Sequence, residues 1–317
     1  MDALSQIVRM VRLQASLDLR CQFASGFAVD HGGTLAREIE FHLVLSGRCV
    51  IELADAEPVN MAPGDFVALR SGTRHRVRTL GAVDIEHRSV TAQEGLLPLK
   101  RSESGEIELD LLCGRFVVDS MAMDQLLETL PRVLHVSLSE STRDIDLCVI
   151  VAMIRAEVDA DAPGAVAIVE ALCTVLLTLA LRIHSLREAL SPSLLRLIGD
   201  SRLAYAIQAI LKEPGRDWTL EQLAGMSSMS RATFARRFTE VSAMTPGALI
   251  LQVRMSRAAD LLRRSRRGVS DIGAELGYQS EAAFSKAFKR VMAISPAAYR
   301  RTPANEVPRA DASALFD

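Results

Sequence analysis

LAGMSSMSRATFARRF, residues 223–238, is repeated as IGAELGYQSEAAFSKAF, residues 272–288, with one residue added. Each copy begins with an apolar residue beside a small one and continues through a turn to a serine and two phenylalanines four residues apart. Ser230 and Ser280 are suited to cap a helix, and the phenylalanine pairs mark its buried face. The small residue lets the preceding helix cross closely. Each copy is therefore predicted to form a helix-turn-helix.

The second helix of each copy leaves a polar face opposite its phenylalanines. Arginine and lysine side chains bind guanine edges or phosphates, and glutamine, serine, threonine and glutamate also reach bases or the DNA backbone. The predicted DNA contacts are Arg231, Thr233, Arg236, Arg237, Gln279, Glu281, Ser285, Lys286 and Lys289. The alternative is that these residues form the solvated surface of ordinary helices.

Between the copies, PGALILQVRMSRAADLLRRS, residues 246–265, has the apolar spacing of a helix. A helix of this length extends about 30 Å, at about 1.5 Å per residue. It can hold two reading helices roughly one DNA turn, about 34 Å, apart. One chain is therefore expected to contact two successive major grooves.

The charge of the chain is divided along its length. Residues 201–303 contain 17 Lys and Arg against 8 Asp and Glu, whereas residues 1–200 contain 19 against 28. The formal net charge of −2 conceals this difference. A basic C-terminal part joined to an acidic N-terminal part indicates a polyanion-binding module fused to a module with another task.

The N-terminal half has a β pattern. Between residues 39 and 90, runs such as EFHLVLSGRCVIEL and FVALRSGTRHRVRTL are separated by turns, which predicts antiparallel strands of a barrel or sandwich. A polar loop, LKRSESGEIELD, and another strand, LLCGRFVVD, follow, and helical periodicity is expected from about Met123. Two long apolar helices are predicted near residues 144–160 and 165–190, with a hinge at 191–193.

Neither the N-terminus nor the longest apolar run has the pattern of a segment that directs a protein out of the cytoplasm. The N-terminus, MDALSQIVRMVRLQ, is interrupted by Arg9 and Arg12 and does not read as a signal peptide. The apolar run at 165–181 contains Glu170 and is too short on either side of it to span a bilayer. The five cysteines are widely spaced and form no CxxC pair, which argues against a disulfide framework or a zinc finger. We expect a cytoplasmic protein with reduced thiols and no membrane partner.

The C-terminal third resembles the DNA-binding domain of the AraC/XylS family of transcription regulators. The resemblance covers residues 201–303 in order and rests on WTLEQLA, MSRATFARRF, TPGALILQVRMSRAADLL and GYQSEAAFSKAFKRVMAISPAAYRR. In the first turn this chain has Ser228 where the family often has glycine, and a non-glycine residue at positive φ costs about 1–2 kcal/mol. Gly273 stands where alanine is usual and is expected to weaken its helix slightly.

The N-terminal half is similar to a cupin barrel. Glu40 stands seven residues before a glycine, and the second cupin motif is matched by Gly64, Asp65, Gly72 and His75, but the HxH pair expected before Glu40 is missing. The whole chain resembles the subgroup of these regulators with an N-terminal cupin sensor, including regulators that respond to reactive chlorine and other oxidants.

The resemblance implies an α+β chain of two domains. Residues 1–190 are expected to form a cupin β-barrel with flanking helices, acting as a sensor and dimerisation domain. Residues 200–303 are expected to form an all-α tandem helix-turn-helix domain, and residues 304–317 a disordered tail.

Three signals are compatible with the barrel. Glu40, His42 and His75 can form a metal site, because the first two point to the same side of one predicted strand and the third lies on a neighbouring strand, with His31 as a fourth ligand. The alternative is a barrel that has lost its ligands. A small organic effector is a further option, in a cavity lined by side chains that would fill an empty core equally well: Phe41, Leu43, Leu45, Val50 and Phe66.

The third signal is oxidation. Cys21 follows an arginine, and Cys113 lies two residues before Arg115. Nearby guanidinium groups favour the thiolate, the form that oxidants attack. The resemblance also places cysteines of oxidant-sensing members at these two positions, so that oxidation would give a disulfide or two sulfenates. Cys49, Cys148 and Cys173 lie in apolar runs and are expected to be buried.

The combined reading favours a sequence-specific DNA-binding transcription regulator, an activator, whose cupin half senses a signal. Its predicted partners are double-stranded operator DNA, RNA polymerase and a second copy of the chain, and no cofactor is expected apart from a metal ion in the barrel. The alternatives are a regulator of this family that responds to a metal or a small molecule, and a cupin enzyme fused to a DNA-binding domain. The incomplete metal motif argues against the enzyme.

Overall fold

The computed structural model describes residues 2–11, 13–32, 38–81, 83, 87–95, 97–118, 130–137, 147–185 and 192–302. These residues divide into two units. The β unit contains the described residues of 13–117 and 131–183, and the helical unit contains those of 1–12, 118–130 and 184–317. The predicted tail, 304–317, the hinge residue Ser191 and the predicted helix ends at 144–146 and 186–190 lie outside the described residues.

The β unit contains eleven described strands in two sheets. Their bounds are β1 Leu13–Phe23, β2 Ala28–His31, β3 Glu38–Ser46, β4 Cys49–Leu53, β5 Ala56–Met61, β6 Phe66–Leu69, β7 His75–Arg78, β8 Ser89–Glu94, β9 Leu97–Ser102, β10 Leu109–Val118 and β11 Val133–Val136. The strand order is β11-β6-β3-β10-β1-β9-β8 in the larger sheet and β2-β7-β4-β5 in the smaller one. Most pairings are antiparallel, as predicted, but β1 and β9 pair in parallel. The β unit is thus a jelly roll of two sheets rather than the closed barrel that the sequence predicted.

The core of the β unit is built by side chains from both sheets. Val44 of β3 and Val67 of β6 belong to the same buried cluster as Ile51 of β4 and Val77 of β7. Because successive residues of a strand point to opposite faces, the neighbours of these residues face away from this core.

The five apolar residues predicted to line an effector cavity are therefore on the wrong faces. Phe41 packs against the rings of Phe66 and Phe116, with centroids 5.8 and 4.8 Å away, on the other face of the larger sheet. Leu43 and Leu45 alternate with His42 and Val44 in the same way, and Val50 alternates with the core residues Cys49 and Ile51.

Two segments of the β unit differ from the sequence prediction. The start of the predicted polar loop, residues 99–102, belongs to strand β9. The helical pattern expected from Met123 onward is interrupted by β11, which pairs with β6 and follows Pro131. A proline disfavours helix continuation, and VLHV alternates buried and half-buried residues as a strand does.

Two helices follow the strands, within the ranges predicted: α2 Leu147–Ala160 lies in the β unit, and so does α3 Ala165–Ser185 apart from its last two residues. Among the described residues, α3 is the one helix long and apolar enough to cross a membrane by length and composition. The sequence analysis had predicted that this apolar run is too short to span a bilayer. Ala165, Val169, Cys173, Leu176 and Ala180 are buried in the protein. Their spacing of three to four residues is that of a helix with one face in a protein core.

The helical unit contains α1 Ala3–Val11, α4 Leu194–Gly199, α5 Ala204–Lys212, α6 Leu220–Met226, α7 Arg231–Ser242, α8 Pro246–Arg264, α9 Val269–Glu275, α10 Glu281–Met292 and α11 Pro296–Arg301. Asp2 begins α1 by accepting hydrogen bonds from the Ser5 backbone and hydroxyl at 2.8 and 2.7 Å. The helix packs its apolar face, including Leu4 and Ile7, against α5. The first helix of the chain therefore shares a unit with the C-terminal helices.

Candidate functional site

The two predicted helix-turn-helix motifs are α6 with α7 and α9 with α10. Ser230 and Ser280 cap the second helices by accepting hydrogen bonds from Thr233 N and Ala283 N, each at 3.2 Å. The phenylalanine pairs are fully buried, with ring centroids 5.7 Å apart in the first motif and 5.8 Å apart in the second. The pattern predicted from the repeat is thereby confirmed in both copies.

The turns confirm the expected backbone strain. Ser228 has a φ of 52° and Gly277 a φ of 84°. In both motifs the next backbone N–H reaches back to the small residue of the preceding helix: Met229 N donates to Ala224 O and Tyr278 N to Gly273 O, each at 3.0 Å. The added residue of the second copy, Gln279, is accommodated after this turn.

The second motif contains two close backbone approaches. A Cβ atom on Gly273 would lie 2.9 Å from Phe284 Cβ, and one on Gly277 would lie 2.3 Å from Gly215 O. Arg254 of α8 holds the loop around Gly215 by donating to Pro214 O at 2.7 Å and Arg216 O at 2.9 Å. Gly273 is thus not merely a weak helix former, because the crossing of α9 and α10 requires it.

Most predicted DNA contacts lie on exposed faces opposite the phenylalanines. Six exposed residues lie on the two helices, and a seventh, Gln279, precedes the second one. The exposed set is Arg231, Thr233, Arg236, Gln279, Glu281, Lys286 and Lys289. Ser285 is half-buried. Among the described residues, Lys286 and Lys289 have no ion pair, whereas Arg231 contacts Glu221 at 2.6 Å.

Arg237 has a different environment from the other predicted contacts. Its Nε donates to Asp200 Oδ2 at 2.9 Å, and a terminal nitrogen lies 2.7 Å from the same oxygen. The Asp200 side chain is nearly buried. The pair therefore ties α7 to the end of α4, a role that the sequence did not reveal.

The connector between the motifs is α8, which ends one residue earlier than predicted. Thr245 caps it, Pro246 occupies its first turn, and Leu249, Val253 and Leu262 are buried along one side. At about 1.5 Å per residue the helix is about 28 Å long. Its length is that expected for a spacer between two reading helices.

The β unit contains a second candidate site, formed by His31, Glu40, His42 and His75. One possible ligand atom from each lies within 4.8 Å of all the others. His31 Nδ1 is 2.7 Å from Glu40 Oε1, and the Nε2 atoms of His42 and His75 are 2.8 Å apart. Glu40 and His42 come from the larger sheet, and His31 and His75 are register partners in the smaller one. The site therefore lies between the two sheets.

Burial controls the protonation of this cluster. It holds the pKa of His42 well below its ordinary value, and the charges of His31 and His75 act in the same direction. Burial also lowers the pKa of His75. Burial alone would raise the pKa of Glu40, but the hydrogen bond and charge of His31 bring it below its usual value. Neutral imidazoles beside a carboxylate are the protonation states that bind metal ions.

The predicted redox pair lies against this cluster. Cys113 is the register partner of His42, and its Sγ is 3.1 Å from His42 Nδ1. Cys21 and Cys113 share a hydrogen bond and are both buried. The contact with His42 was not predicted, because it depends on the register of β3 and β10.

The prediction that nearby guanidinium groups favour the thiolate of Cys113 is wrong. The hydrogen bond with Cys21 and burial raise the pKa of Cys113 well above its ordinary value. Arg115 instead pairs with Asp18 at 3.0 Å. Arg20 donates to Asp110 at 2.9 Å, and as the neighbour of Cys21 in β1 it points to the opposite face of the sheet.

The remaining cysteines divide into two groups. Cys49 and Cys173 are buried as expected, and burial raises the pKa of each to about 12. Cys148 is exposed, contrary to the prediction. An apolar run in the sequence does not indicate which side of the helix is buried.

Comparisons with known proteins agree with this two-part architecture. The family model described as Cupin matches residues 2–185, and the model described as Helix-turn-helix domain matches residues 223–302. An uncharacterized HTH-type transcriptional regulator of Haemophilus influenzae is 31% identical over 95% of this chain and 99% of its own length. The RCS-specific HTH-type transcriptional activator RclR of Escherichia coli is 30% identical over 95% and 97%. A putative AraC-like transcription regulator of Streptomyces lividans is 28% identical over 96% and 99%. This chain belongs to the AraC/XylS family of DNA-binding transcription regulators, in the group whose N-terminal half is a cupin domain.

Proposed function

We propose that the protein activates transcription from a specific operator, with α7 and α10 in two successive major grooves. The observation that carries this proposal is the duplication of one reading unit, with the same serine cap and the same buried phenylalanine pair, in one helical unit. Each copy has an exposed polar face opposite that pair. The proposed contacts to bases and phosphates are Arg231, Thr233, Arg236, Gln279, Glu281, Ser285, Lys286 and Lys289.

Arg237 contributes to the proposed interface in a second way. A guanidinium has five N–H donors, and the pair with Asp200 leaves some of them for a phosphate oxygen. The same pair fixes the orientation of α7. Arg237 is thus assigned a phosphate contact that also positions the reading helix.

The proposed signal is an oxidant that joins Cys21 to Cys113. The two thiols share a hydrogen bond in the interior of the β unit, which places them beside each other. They lie on adjacent strands, β1 and β10, of the larger sheet. RclR, a relative over nearly the whole chain, is named as RCS-specific. In this chain the disulfide would alter the packing of the β-unit core.

A homodimer is the proposed assembly. Large apolar side chains are exposed at helical spacing on both helices of the β unit: Val149 (52%) and Met153 (48%) on α2, and Ile168 (42%) and Val175 (43%) on α3. Clusters of exposed apolar residues are typical of protein interfaces. A second copy would cover them and bring a second helical unit to a neighbouring half-site.

The proposal assigns no enzymatic activity to the cupin unit. Its full-length relatives are named transcription regulators, and two of them are similar over at least 95% of this chain. The site of action is then the operator DNA in the cytoplasm, and the partner in activation is RNA polymerase.

A nuclease footprint on the intergenic DNA beside the protein's own gene tests this function. The reduced protein, the protein treated with hypochlorous acid, and the same sample after added reductant are compared. We expect a protected region that changes on oxidation and returns on reduction. Cys21→Ser should abolish the change, and Cys49→Ser, in the same core, should leave it intact. Protection that ignores the oxidant contradicts the proposed signal, and the absence of protection contradicts the operator.

A further inference from the structure

A cavity of about 270 Å³ lies at one end of strands β1, β9 and β8, which are neighbours in the larger sheet. Three chain segments form its walls: the turn at Ser25, the residues His87 and Arg88 before β8, and the loop 103–105 after β9. None of these lining residues belongs to the buried core of the β unit or to the cluster of histidines around Glu40. The cavity is therefore a separate candidate site.

Hydrogen bonds hold the three segments together. Ser102 is buried, and its hydroxyl accepts from Ala24 N at 2.9 Å and lies 2.8 Å from His87 Nε2. Glu103 N donates to Arg88 O at 3.1 Å. Because the walls are joined by bonds within the protein, the cavity is already formed before any ligand binds, as small-molecule sites usually are.

Packing fixes two of the walls further. Gly105 has a φ of 94°, and a Cβ atom on it would lie 2.7 Å from Ala24 Cβ, so the loop requires glycine to lie against the turn after β1. The ring of His87 contacts Phe23 and Phe27, with centroids 6.0 and 6.4 Å away. Both phenylalanines belong to the buried core. The site is thus connected to the core through His87.

Arg88 and Glu103 bring opposite charges to this cavity. They are opposed across the strand pair, one position beyond the register pair of Ser89 and Ser102, and both are exposed. Directly opposed residues of opposite charge ordinarily attract each other. In the part of the chain that the structure describes, however, neither of the two side chains has an ion pair. Both charges are therefore available to a ligand.

The two charges define the class of ligand. The planar guanidinium of Arg88 offers paired N–H donors that match a carboxylate. The carboxylate of Glu103 attracts an ammonium group and repels an anion that carries no positive charge. A purely cationic ligand is repelled by Arg88 in the same way. A zwitterion that carries both groups satisfies the two residues at once.

The size of the cavity and its remaining groups narrow this class. Small-molecule pockets commonly measure about 300–1,000 Å³, so a cavity of about 270 Å³ takes a small ligand. Ser25 and Ser104 also line it, and each hydroxyl can donate or accept a hydrogen bond. A single free α-amino acid combines a carboxylate and an ammonium group within this size.

We propose that this cavity binds one free α-amino acid, with its carboxylate on Arg88 and its ammonium group on Glu103. The site goes beyond the proposed oxidant signal, because it uses neither thiol. It gives the β unit an input from a small molecule. Binding at this site requires neither operator DNA nor oxidation, so it is tested independently of the proposed function.

Titration of the reduced full-length protein with each of the protein amino acids tests the site. A thermal-shift screen at about 10 mM selects the ligands, and calorimetry then measures stoichiometry and Kd. We expect at least one amino acid to bind once per chain with a Kd below about 1 mM. Its 2-hydroxy acid, which lacks the ammonium group, and its decarboxylated amine should each bind at least about tenfold more weakly, because each loses a charged hydrogen bond.

Variants of the two charged residues locate the ligand. Arg88→Ala and Glu103→Gln should each raise the Kd at least about tenfold. Glu103→Gln should also remove the preference for the amino acid over its 2-hydroxy acid, whereas Arg88→Ala should not. Arg101→Ala and Glu106→Gln, which change exposed residues of the same region outside the cavity lining, are the matched controls and should leave the Kd unchanged.

Three results would overturn the assignment. Absence of binding by every amino acid at about 10 mM excludes the site. Equal affinity for the amino acid and its 2-hydroxy acid excludes the zwitterion. An unchanged Kd in either Arg88→Ala or Glu103→Gln places the ligand elsewhere. The unfolding temperature of each unliganded variant should equal that of the parent, which separates a lost contact from a lost fold.

Discussion

The two helix-turn-helix motifs have the same backbone plan but place their charges differently. In the first motif the basic residues of the reading helix are paired: Arg231 with Glu221 at 2.6 Å, Arg236 with Glu240 at 3.7 Å and Arg237 with Asp200 at 2.7 Å. In the second, Lys286 and Lys289 are exposed and have no ion pair among the described residues. Duplication has thus preserved the fold of the reading unit while its electrostatics diverged.

The motifs also differ in backbone freedom. The first turn places Ser228 at positive φ, whereas the second uses Gly277 and packs it against another backbone segment. The first helix of the first motif, α6, begins with a capping box between Thr219 and Gln222. The corresponding helix of the second motif, α9, begins after Gly268, which makes no side-chain capping hydrogen bond. We expect the second motif to be more sensitive to added side chains and the first to have strain that can be removed.

The largest effect is expected from Gly277→Ala. The new side chain adds the positive-φ cost of about 1–2 kcal/mol to an overpacking cost of about 1–3 kcal/mol, because its Cβ meets Gly215 O. The free energy of unfolding of the helical unit should fall by about 3 kcal/mol in a denaturant titration. Gly225→Ala, which adds a Cβ in open space, is the matched control and should not destabilise. Equal stability of the two variants would mean that position 277 does not require glycine.

Removing a basic side chain from either reading helix should weaken operator binding. Arg236→Ala and Lys286→Ala are each expected to cost about 1–3 kcal/mol if the side chain contacts a base. If Lys286 binds a phosphate instead, its loss weakens binding to all DNA sequences alike. It also reduces the slope of the logarithm of the binding constant against the logarithm of the salt concentration by about 1. Arg231→Ala should reduce the slope less, because its charge is already partly compensated by Glu221. Fluorescence anisotropy at several salt concentrations measures these changes, and identical slopes for the three variants would remove the electrostatic distinction.

A smaller effect is expected at the helix crossing of the second motif. Gly273→Ala gains about 1 kcal/mol of helix propensity but brings its Cβ within 2.9 Å of Phe284 Cβ, an overpacking that costs about 1–3 kcal/mol. The net result should be a loss of about 1 kcal/mol in the free energy of unfolding. A gain in stability would show instead that the crossing can widen freely.

The smallest effect is expected from Ser228→Gly, and its sign is opposite. Glycine relieves the positive-φ cost of about 1–2 kcal/mol but increases the entropy of the unfolded chain by about 0.4–1 kcal/mol. The variant should therefore be more stable by about 0.5–1 kcal/mol, with an unchanged operator affinity. A loss of stability would indicate that the Ser228 side chain has a stabilising contact.

The sequence predicted the helical unit well because its signals are local. Capping serines, phenylalanine spacing and the turn at Ser228 each lie within one turn of the residues they organise. The grouping of Glu40, His42 and His75 was also predicted, since the cupin pattern determines the places of Glu40 and His75. His31, the fourth residue of this group, comes from a strand that the sequence pattern did not indicate clearly.

The wrong predictions concern the direction in which side chains of the β unit point and the residues that they contact. Neighbours in sequence suggested that guanidinium groups act on the thiols, but neighbours on a strand point to opposite faces. Phe41 and its partners were assigned to the face that lines a cavity between the sheets, although the position of the second sheet decides which face becomes that core. The contact between His42 and Cys113 depends on the register of two strands far apart in sequence, which composition and periodicity do not encode.

A nuclease footprint of the reduced protein with Arg236→Ala and Lys286→Ala in parallel lanes tests the two-groove account most directly. The parent protein should protect two segments per chain, with centres about one helical turn, roughly 34 Å, apart. Each variant should weaken one segment more than the other, and the two variants should weaken different ones. A single protected segment, or the same segment weakened in both variants, would contradict the claim that the two motifs read successive grooves.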